Sequence, residues 1–591
     1  MKIRFQYIAL AVAFAGIQEA IAQKKDENIG TEVVNVVKPY TPTISDAFKV
    51  KETPVIEDED NTQREEINYN IFSFPVASTF TPAKGKAAGV DKAQREKLYN
   101  NYATLGVGNY GTVNAELFVT ENLNRNEYVG GMLRHLSSQG GIDDVVLDDK
   151  YYNTSIDLTY GNRQQSYNWT ADLGYRHQIY NWYGLPEDFA AVAEPEEINA
   201  IDPQHTFHNF YIGGKIGLKE GIFNEAAVQY RHFWDAEGSA ENRFFIKPGL
   251  DIDVAGEKIK VDFVADYVGG TFERDYTALG AAPEYSHFNL GLQPSILYQK
   301  EDLSVQLGAG LFYSMGKLNG ESEGRFFVYP QIKASYKVVG DLMVAYAGAE
   351  GTLRQNSYED AVSVNPFVSP TLDIVPTDQK YDIYVGLKGK LANAVAYNLR
   401  GSYMNEDDRA MFLSNPAVQV TGVPTLPENV EGYHFGNSFG LVYDNIKTLS
   451  FFGELRADFS KSVSFGINGT YYSYNTEDQA EPWNLPEIRV GADLDVDITE
   501  KWYAGANVFF VGDRKDRRFF ESPVDAAFYD FETVTLKSYF DLNAHVGYKY
   551  SERLTGFLRL NNIANQDYER WQNYPVQGFQ FLVGASYKFN F

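Results

Sequence analysis

From about Tyr102 to the C-terminus, apolar and polar residues alternate one by one, so the repeat along the chain is two residues rather than 3.6. In Val534–Tyr550 one side carries Val534, Leu536, Ser538, Phe540, Leu542, Ala544, Val546, Tyr548 and Tyr550. The other carries Thr535, Lys537, Tyr539, Asp541, Asn543, His545, Gly547 and Lys549. No amphipathic helix sustains strict alternation over that distance, and the stretch predicts one continuous strand. The same pattern recurs in Ile259–Tyr267, Tyr381–Gly389, Val395–Tyr403, Leu449–Phe459, Val463–Tyr471, Ile488–Ile498 and Trp502–Phe510. The last stretch, Gln577–Phe591, sets Phe579, Phe581, Val583, Ala585, Tyr587, Phe589 and Phe591 opposite Gln580, Leu582, Gly584, Ser586, Lys588 and Asn590. It is a long ribbon with one greasy and one wet face, as in a tilted strand with lipid outside and water inside.

The connections come in two sizes. Lys219–Ile222, Ala255–Lys258, Gly340-Asp341, Thr499–Lys501 and Ser551–Arg553 are brief, whereas 138–150, 181–204, 357–379, 406–432, 476–486 and 514–533 are long. Short turns at one end and long loops at the other predict an all-β, transmembrane antiparallel β-barrel occupying 101–591, its long loops outside the cell. With both termini on one side the strand number is even. About 490 residues at roughly 22 per strand and connection give about 22 strands, within 20–24. Residues 433–448 read either as an extra strand or as an external excursion.

Composition sharpens this picture. Mean hydropathy is −0.35 and no internal apolar run is long enough for a membrane helix, which excludes a helical bundle and leaves a barrel. Tyr 42, Phe 40 and Gly 50 suit aromatic girdles and tight turns, and Cys 0 removes disulfides, thiolate metal sites and an N-terminal lipid anchor. Lys2 and Arg4, the apolar run Ile8–Ile17 and the A-x-A site Ala20-Ile21-Ala22 read as a signal peptide over 1–22. Its removal takes two positive charges and one negative, moving the net charge from −27 to −28. Such acidity argues against nucleic acid as a partner and fits a cation-attracting lumen or strongly hydrated loops. Residues 23–100 contain Pro39, Pro42, Pro54, the run Glu57-Asp58-Glu59-Asp60, Pro75 and Pro82. They predict a short, extended periplasmic or pore-occluding segment, with a helix over Asp91–Asn100 capped by Asp91.

Leu558-Arg559-Leu560-Asn561-Asn562-Ile563-Ala564-Asn565-Gln566-Asp567-Tyr568, followed by Tyr574-Pro575, Gly578 and Tyr587-Lys588-Phe589, resembles the end of TonB-dependent receptors. The resemblance covers about the last 35 residues well and the barrel loosely. It implies a 22-stranded barrel, an N-terminal plug, a TonB box and import of chelated metals, cobalamin or glycans. Thr31, Glu32, Val33, Val34, Asn35, Val36 and Val37 look like a TonB box, which would add edge-on to TonB as a strand. Residues 23–100 are about half a plug's length and show no plug-like alternation of strands and helices. The aromatic end, Tyr587, Phe589 and Phe591, resembles the signal that outer-membrane proteins show the barrel assembly machinery. An unfilled barrel of this width would be a large aqueous hole. The segment 38–100, the long loops or a partner protein should block it.

Several clusters invite chemistry. His135 and Ser137 share a strand face in an H-x-S pattern similar to outer-membrane phospholipases and lipid A deacylases, with polar residues at a strand end as the plainer reading. Gly436-Asn437-Ser438-Phe439-Gly440 matches G-x-S-x-G, but no helix follows to make the strained elbow. Glu454, Asp458, Asp493, Asp495, Asp497 and Asp541 fall on wet faces, as do Asp262 and Asp266. They suggest a cation-favouring lumen or a wall neutralised by residues such as Arg400, Arg489 and Lys549. Asp143, Asp144, Asp148 and Asp149 have no calcium-loop spacing and read as a solvated loop. Arg514, Lys515, Arg517 and Arg518 form an external basic cluster suited to lipid phosphates, an acidic partner or the protein's own acidic loops. His205 and His208 lie on opposite faces and make a poor metal pair. No cofactor is expected. The reading is a non-enzymatic outer-membrane barrel for passage or binding of a solute, or else a plugged accessory barrel of a larger assembly. Its partners are outer-membrane lipid, the assembly machinery and TonB or another envelope protein.

Overall fold

The computed structural model describes residues 98–591 except 255, 278–279, 419–429 and 522–528. The signal peptide, Thr31–Val37 and most of 23–100 therefore lie outside the described residues. The chain divides into two units, Met1–Lys92 and Ala93–Phe591, and the barrel belongs to the second.

Twenty-two strands form one antiparallel sheet that closes on itself. The first strand, Asn101–Gly108, pairs with the last, Gln580–Phe589, in register from Asn101↔Phe589 to Gly108↔Leu582. Closure leaves no free edge, so every strand satisfies its backbone within the wall, which a lipid environment requires. The pleat sets one row of each strand outward. Phe451, Val385, Phe581 and Val583 are all exposed, as are Leu307, Val328 and Ile212. A continuous apolar belt of this size around a barrel is a lipid-facing surface.

Strand-to-strand turns at the rim that holds both barrel termini span two to four residues, such as 301–302, 393–394 and 461–462. The opposite rim carries the long connections 182–203, 355–376, 415–438, 512–538 and 562–579. Region 433–448 is not an extra strand: it is the end of an external excursion followed by the upper part of the strand already expected at Leu449–Phe459. Residues 430–438 belong to an external loop, and 439–448 form the upper part of the strand Phe439–Ser460.

One strand is corrected. Val534–Tyr550 is not continuous: Tyr529–Leu536 pairs with Arg514–Glu521 in a separate hairpin, and the barrel strand begins at Tyr539. The break is local. Ser538 N donates to Asp513 Oδ1 at 2.6 Å, so a side chain replaces the ladder partner while the alternation runs on through the kink. The loop expected at 514–533 is thus largely a β-hairpin rising from the barrel.

Candidate functional site at the long-loop mouth

The inward rows at the long-loop ends of five neighbouring strands line one side of the mouth. They include His205, Phe207 and Asn209, then Arg231, Phe233 and Asp235, then Glu241 and Arg243, then Asp266 and Val268, then Tyr285, His287 and Asn289. The loop 355–376 folds inward onto this wall from its root between Met343–Arg354 and Thr377–Ala392. Its short helix, Tyr358–Val364, starts at Ser357, whose side chain accepts from Asp360 N, and carries Glu359 and Asp360 in its first turn.

That acidic turn meets two arginines. Arg231 binds Glu359 Oε2 through Nη1 at 2.5 Å and donates to Ser357 Oγ at 3.1 Å. Arg243 grips Asp266 with Nε and Nη2 at 2.9 and 2.7 Å and reaches Asp360 with Nη1 at 3.1 Å. Burial pushes the Glu359 carboxyl above its ordinary range, against the pull of Arg231. Tyr358 is the anchor. Its hydroxyl donates to Asp235 Oδ2 at 2.7 Å, its backbone N–H donates to Glu241 Oε2, and its ring lies edge-on to Phe233 and Phe272 at 5.2 and 5.1 Å. Farther along the loop, His287 Nε2 bonds the Ile374 carbonyl at 2.7 Å and Asn289 Nδ2 bonds Gln355.

Other loops cross the mouth to meet this one. Trp182, from the loop between strands Tyr167–Asn181 and Gln204–Leu218, donates through Nε1 to Phe367 O at 3.2 Å. Asn437 Nδ2 donates to Trp182 O at 2.7 Å and to Gly432 O at 2.8 Å. Tyr574 stacks on Phe367 at 3.8 Å, donates to Asn437 O, and receives the edge of Tyr183 at 4.8 Å. The loops carrying Trp182 and Asn437 are rooted ten strands apart around a circle of 22. Segments rooted on nearly opposite sides meet only above the middle, so the protein's own loops close the mouth. The closure is dry: Phe207, Val368, Leu372, Ile374, Phe439 and Tyr574 are among one cluster of fully buried side chains.

The residues singled out from the sequence take varied places. Glu454 and Asp458 lie on the face opposite the exposed Leu449, Phe451 and Phe459, and Glu454 pairs with Arg456 at 2.8 Å. Asp493, Asp495 and Asp497 share the face opposite Leu494. Asp541 accepts from Tyr568 at 3.1 Å. Arg400 pairs with Asp382 and Arg243 with Asp266 across neighbouring strands, and Lys260 pairs with Asp262 at 3.5 Å within one strand, so part of the wall is neutralised. The basic cluster makes contacts within the protein. Arg514 is buried and bonds the carbonyls of Glu569 and Arg570; Lys515 bonds Thr535; Arg517 lies over Trp483 and Phe531; Arg518 pairs with Glu532 at 3.0 Å. Asp149 accepts from Gly141 N and Ile142 N, and Asp148 pairs with Lys150, which ties down the acidic loop.

His135 Nε2 stands 3.1 Å from Ser137 Oγ, and Nδ1 stands 2.8 Å from Thr154 Oγ1. Ser137 is buried at 3% exposure, however, and a neutral threonine does not stabilise an imidazolium as a carboxylate does. Ser438 closes the mouth rather than attacking anything: it donates to Tyr433 O and accepts from Asn415, and a strand follows it. His205 points inward and His208 outward. Tyr587 is exposed on the outer face of the last strand, and Phe591, two residues past its end, is exposed as well.

No family model and no curated protein matches the chain. Solved structures do. The pyoverdine outer membrane receptor FpvA from Pseudomonas aeruginosa PAO1 superposes with a TM-score of 0.58 at 12% identity, covering 83% of this chain and 78% of that one. The FrpB iron transporter from Neisseria meningitidis gives 0.61 at 10%, covering 84% and 82%. The siderophore receptor PirA from Acinetobacter baumannii gives 0.60 at 13%, covering 83% and 80%. The chain has the barrel fold of the TonB-dependent receptors. In this receptor-type barrel the mouth-closing residues Trp182, Tyr358 and Phe367 were not singled out by the sequence, and Asn437 and Tyr574 were noticed only as parts of other motifs. They sit in loops, where no periodicity marks a contact made across the barrel. The one local signal was composition, since aromatic residues fill loops that would otherwise be solvated.

Proposed function

We propose that the protein is an outer-membrane receptor that takes a solute at its extracellular mouth and admits it to the barrel when the loops part. The observation carrying this reading is that loops rooted on opposite sides of a receptor-type barrel meet over its centre, Trp182 to Phe367 and Asn437 to Trp182. A closed mouth that can reopen is what a gated receptor needs, and a constitutive pore would not have it. The structural neighbours include a siderophore receptor, an iron transporter and a copper transporter, which supports a metal or metal-chelate solute. Thr31–Val37 would engage TonB to drive opening, the luminal row Glu454, Asp458, Asp493, Asp495, Asp497 and Asp541 would favour cations, and Tyr587, Phe589 and Phe591 would guide barrel assembly. Removing Thr31–Val37 should abolish energised uptake while leaving a heat-resistant barrel; uptake that persists would remove TonB from the proposal.

A second reading has its own support. The buried aromatic cluster is as dry as a protein core, which suits a permanent seal in an accessory barrel of a larger assembly. Purification from native membranes separates the two: a stoichiometric protein partner favours the accessory role, and a barrel that comes out alone favours the receptor.

A further inference from the structure

Arg231 and Arg243 face each other directly across the ladder of strands Phe223–Asp235 and Ala240–Val254. Like charges in that relation repel, so the pair is stable only with carboxylates around it. Arg243 has one on the wall, since its Nε and Nη2 grip Asp266. Arg231 has none in hydrogen-bond contact there: Glu241 Oε1 stays 3.7 Å from it and accepts no hydrogen bond among the described residues. The hydrogen bonds of Arg231 are made with the loop instead, to Glu359 and Ser357. Asn209 Nδ2 donates to Glu359 Oε1 at 3.0 Å. The Asp360 carboxylate is shared by the two arginines, 3.9 Å from Arg231 Nη1 and 3.1 Å from Arg243 Nη1. The donors all belong to the wall, and the acceptors all belong to one turn of the loop.

A fourth wall donor lacks an acceptor. Arg176 stands opposite Asn209 in the ladder and its charge reaches Glu359, yet it is exposed and has no hydrogen bond or ion pair among the described residues. The Asp360 side chain is 47% exposed, so this end of the contact is wet. On the other face of the short helix, Tyr358, Ala361 and Val362 enter the dry cluster. The wall thus sets three guanidinium groups and an amide toward one place, and the closed loop answers them with carboxylates on adjacent residues. When the loop lifts, those donors lose their acceptors together, and guanidinium groups so placed bind carboxylates with geometric selectivity.

We propose that Arg176, Asn209, Arg231 and Arg243 form the recognition site for a solute bearing two or more carboxylates, and that Glu359 and Asp360 keep the mouth closed by occupying that site. The inference rests on the receptor reading above and names the solute class of that receptor. Such a solute replaces the turn charge for charge, so its binding and the release of the loop are one competition. A monocarboxylate covers one guanidinium and leaves the others facing each other.

The test uses the full purified chain in nanodiscs. Tricarballylate is the free polycarboxylate probe, and exchange-inert tris(oxalato)chromate(III) is a metal chelate edged by carboxylate oxygens. Acetate and inorganic phosphate at matched ionic strength are the controls. Calorimetry reads binding, and hydrogen exchange of the 357–364 backbone reads release of the turn. At least one probe should bind and speed that exchange, the tighter one telling a free acid from a chelate, while acetate and phosphate do neither. Glu359→Gln with Asp360→Asn removes the competitor and should tighten binding about tenfold or more, whereas Arg231→Gln should weaken it by a like factor. Arg176→Gln breaks no contact of the closed loop, so it should weaken binding about threefold or more and leave exchange in the free protein unchanged. Heat-modifiable migration on gels reports whether each variant is a folded barrel. Probes that act no more strongly than acetate or phosphate, or binding that weakens in the Glu359→Gln, Asp360→Asn protein, would overturn the site. If that double variant loosens 357–364 and still binds neither probe, only the solute class falls. If 357–364 exchanges no faster in the double variant or with any probe, the gated receptor falls with it.

Discussion

Tyr358→Phe isolates one hydrogen bond in the closure of the mouth. The ring, buried among Phe207, Phe233 and Phe272, would stay; the hydroxyl that donates to Asp235 Oδ2 at 2.7 Å would go. Asp235 keeps its bonds from Ser239 N at 2.8 Å and Glu237 N at 3.0 Å through Oδ1, while Oδ2 loses its phenol in a buried setting. A hydrogen bond to a charged group contributes about 1.5–3 kcal/mol, so opening of the loop should become roughly 10- to 150-fold more frequent. Tyr358→Ala, which also empties the ring's site, should cost about 3–5 kcal/mol. Hydrogen exchange of the 358–374 backbone in the membrane-embedded protein reads this opening directly. The expected order is wild type slowest, Phe faster and Ala fastest, with strands remote from the mouth unchanged. Equal exchange in all three proteins would mean that Tyr358 does not hold the loop, and the account of the closure would fail.

Other predictions concern the remaining loops and the wall. Asp444 accepts backbone N–H groups from Asn445, Glu477, Asp478 and Gln479, so Asp444→Asn should loosen 476–487 by about 1–3 kcal/mol, seen as faster proteolysis within that loop. Two buried groups pull the loops' acid response in opposite directions. Burial pushes Asp516 up to about 6, although Asn484, Ser414 N and Arg517 N bond its carboxylate. Its folded value exceeds the ordinary 3.8, so its contribution is gained as pH falls through 6 and is complete below 3.8, about 3 kcal/mol in all. Burial and then Arg274 lower His434 to about 4, so its contribution is whole above 6.5 and is lost as pH falls to 4. His434→Gln should therefore make the loops more protease-resistant on acidification from pH 7 to 4.5, and Asp516→Asn less so. Val583→Arg, on the outward row near the middle of the last strand, should destabilise the barrel by about 2–4 kcal/mol in a bilayer, measured by equilibrium unfolding into urea from vesicles.

The wall was legible because its signal is local. Alternation at period two in stretches such as Val463–Tyr471 needs no knowledge of partners, and closure with both ends at one rim follows from an even strand count. The one misread strand, Val534–Tyr550, shows the limit of that signal: pleating survives the kink at Asp513 and Ser538, whereas the ladder does not. The mouth was illegible for the opposite reason. Trp182 and Phe367, or Tyr183 and Tyr574, are brought together by closing a circle of strands, and no spacing along the chain encodes that meeting. The basic cluster at Arg514–Arg518 was visible as charge, yet its partners, the Glu569 and Arg570 carbonyls and the Trp483 ring, are equally remote in sequence.

The protein's own loops shut the barrel from the outside. Gln229 lies on the inward row, two residues below Arg231 and therefore beneath the layer where Arg231 holds Glu359, while Val364 is exposed on the loop helix. The chain has no cysteine, so Gln229→Cys and Val364→Cys each give a single reporter. Intact cells treated with a membrane-impermeant maleimide should label Val364→Cys quickly and spare Gln229→Cys, until Tyr358→Ala is added and the second site becomes reactive. Labelling of Gln229→Cys as fast as Val364→Cys in the otherwise unaltered protein would contradict a closed mouth.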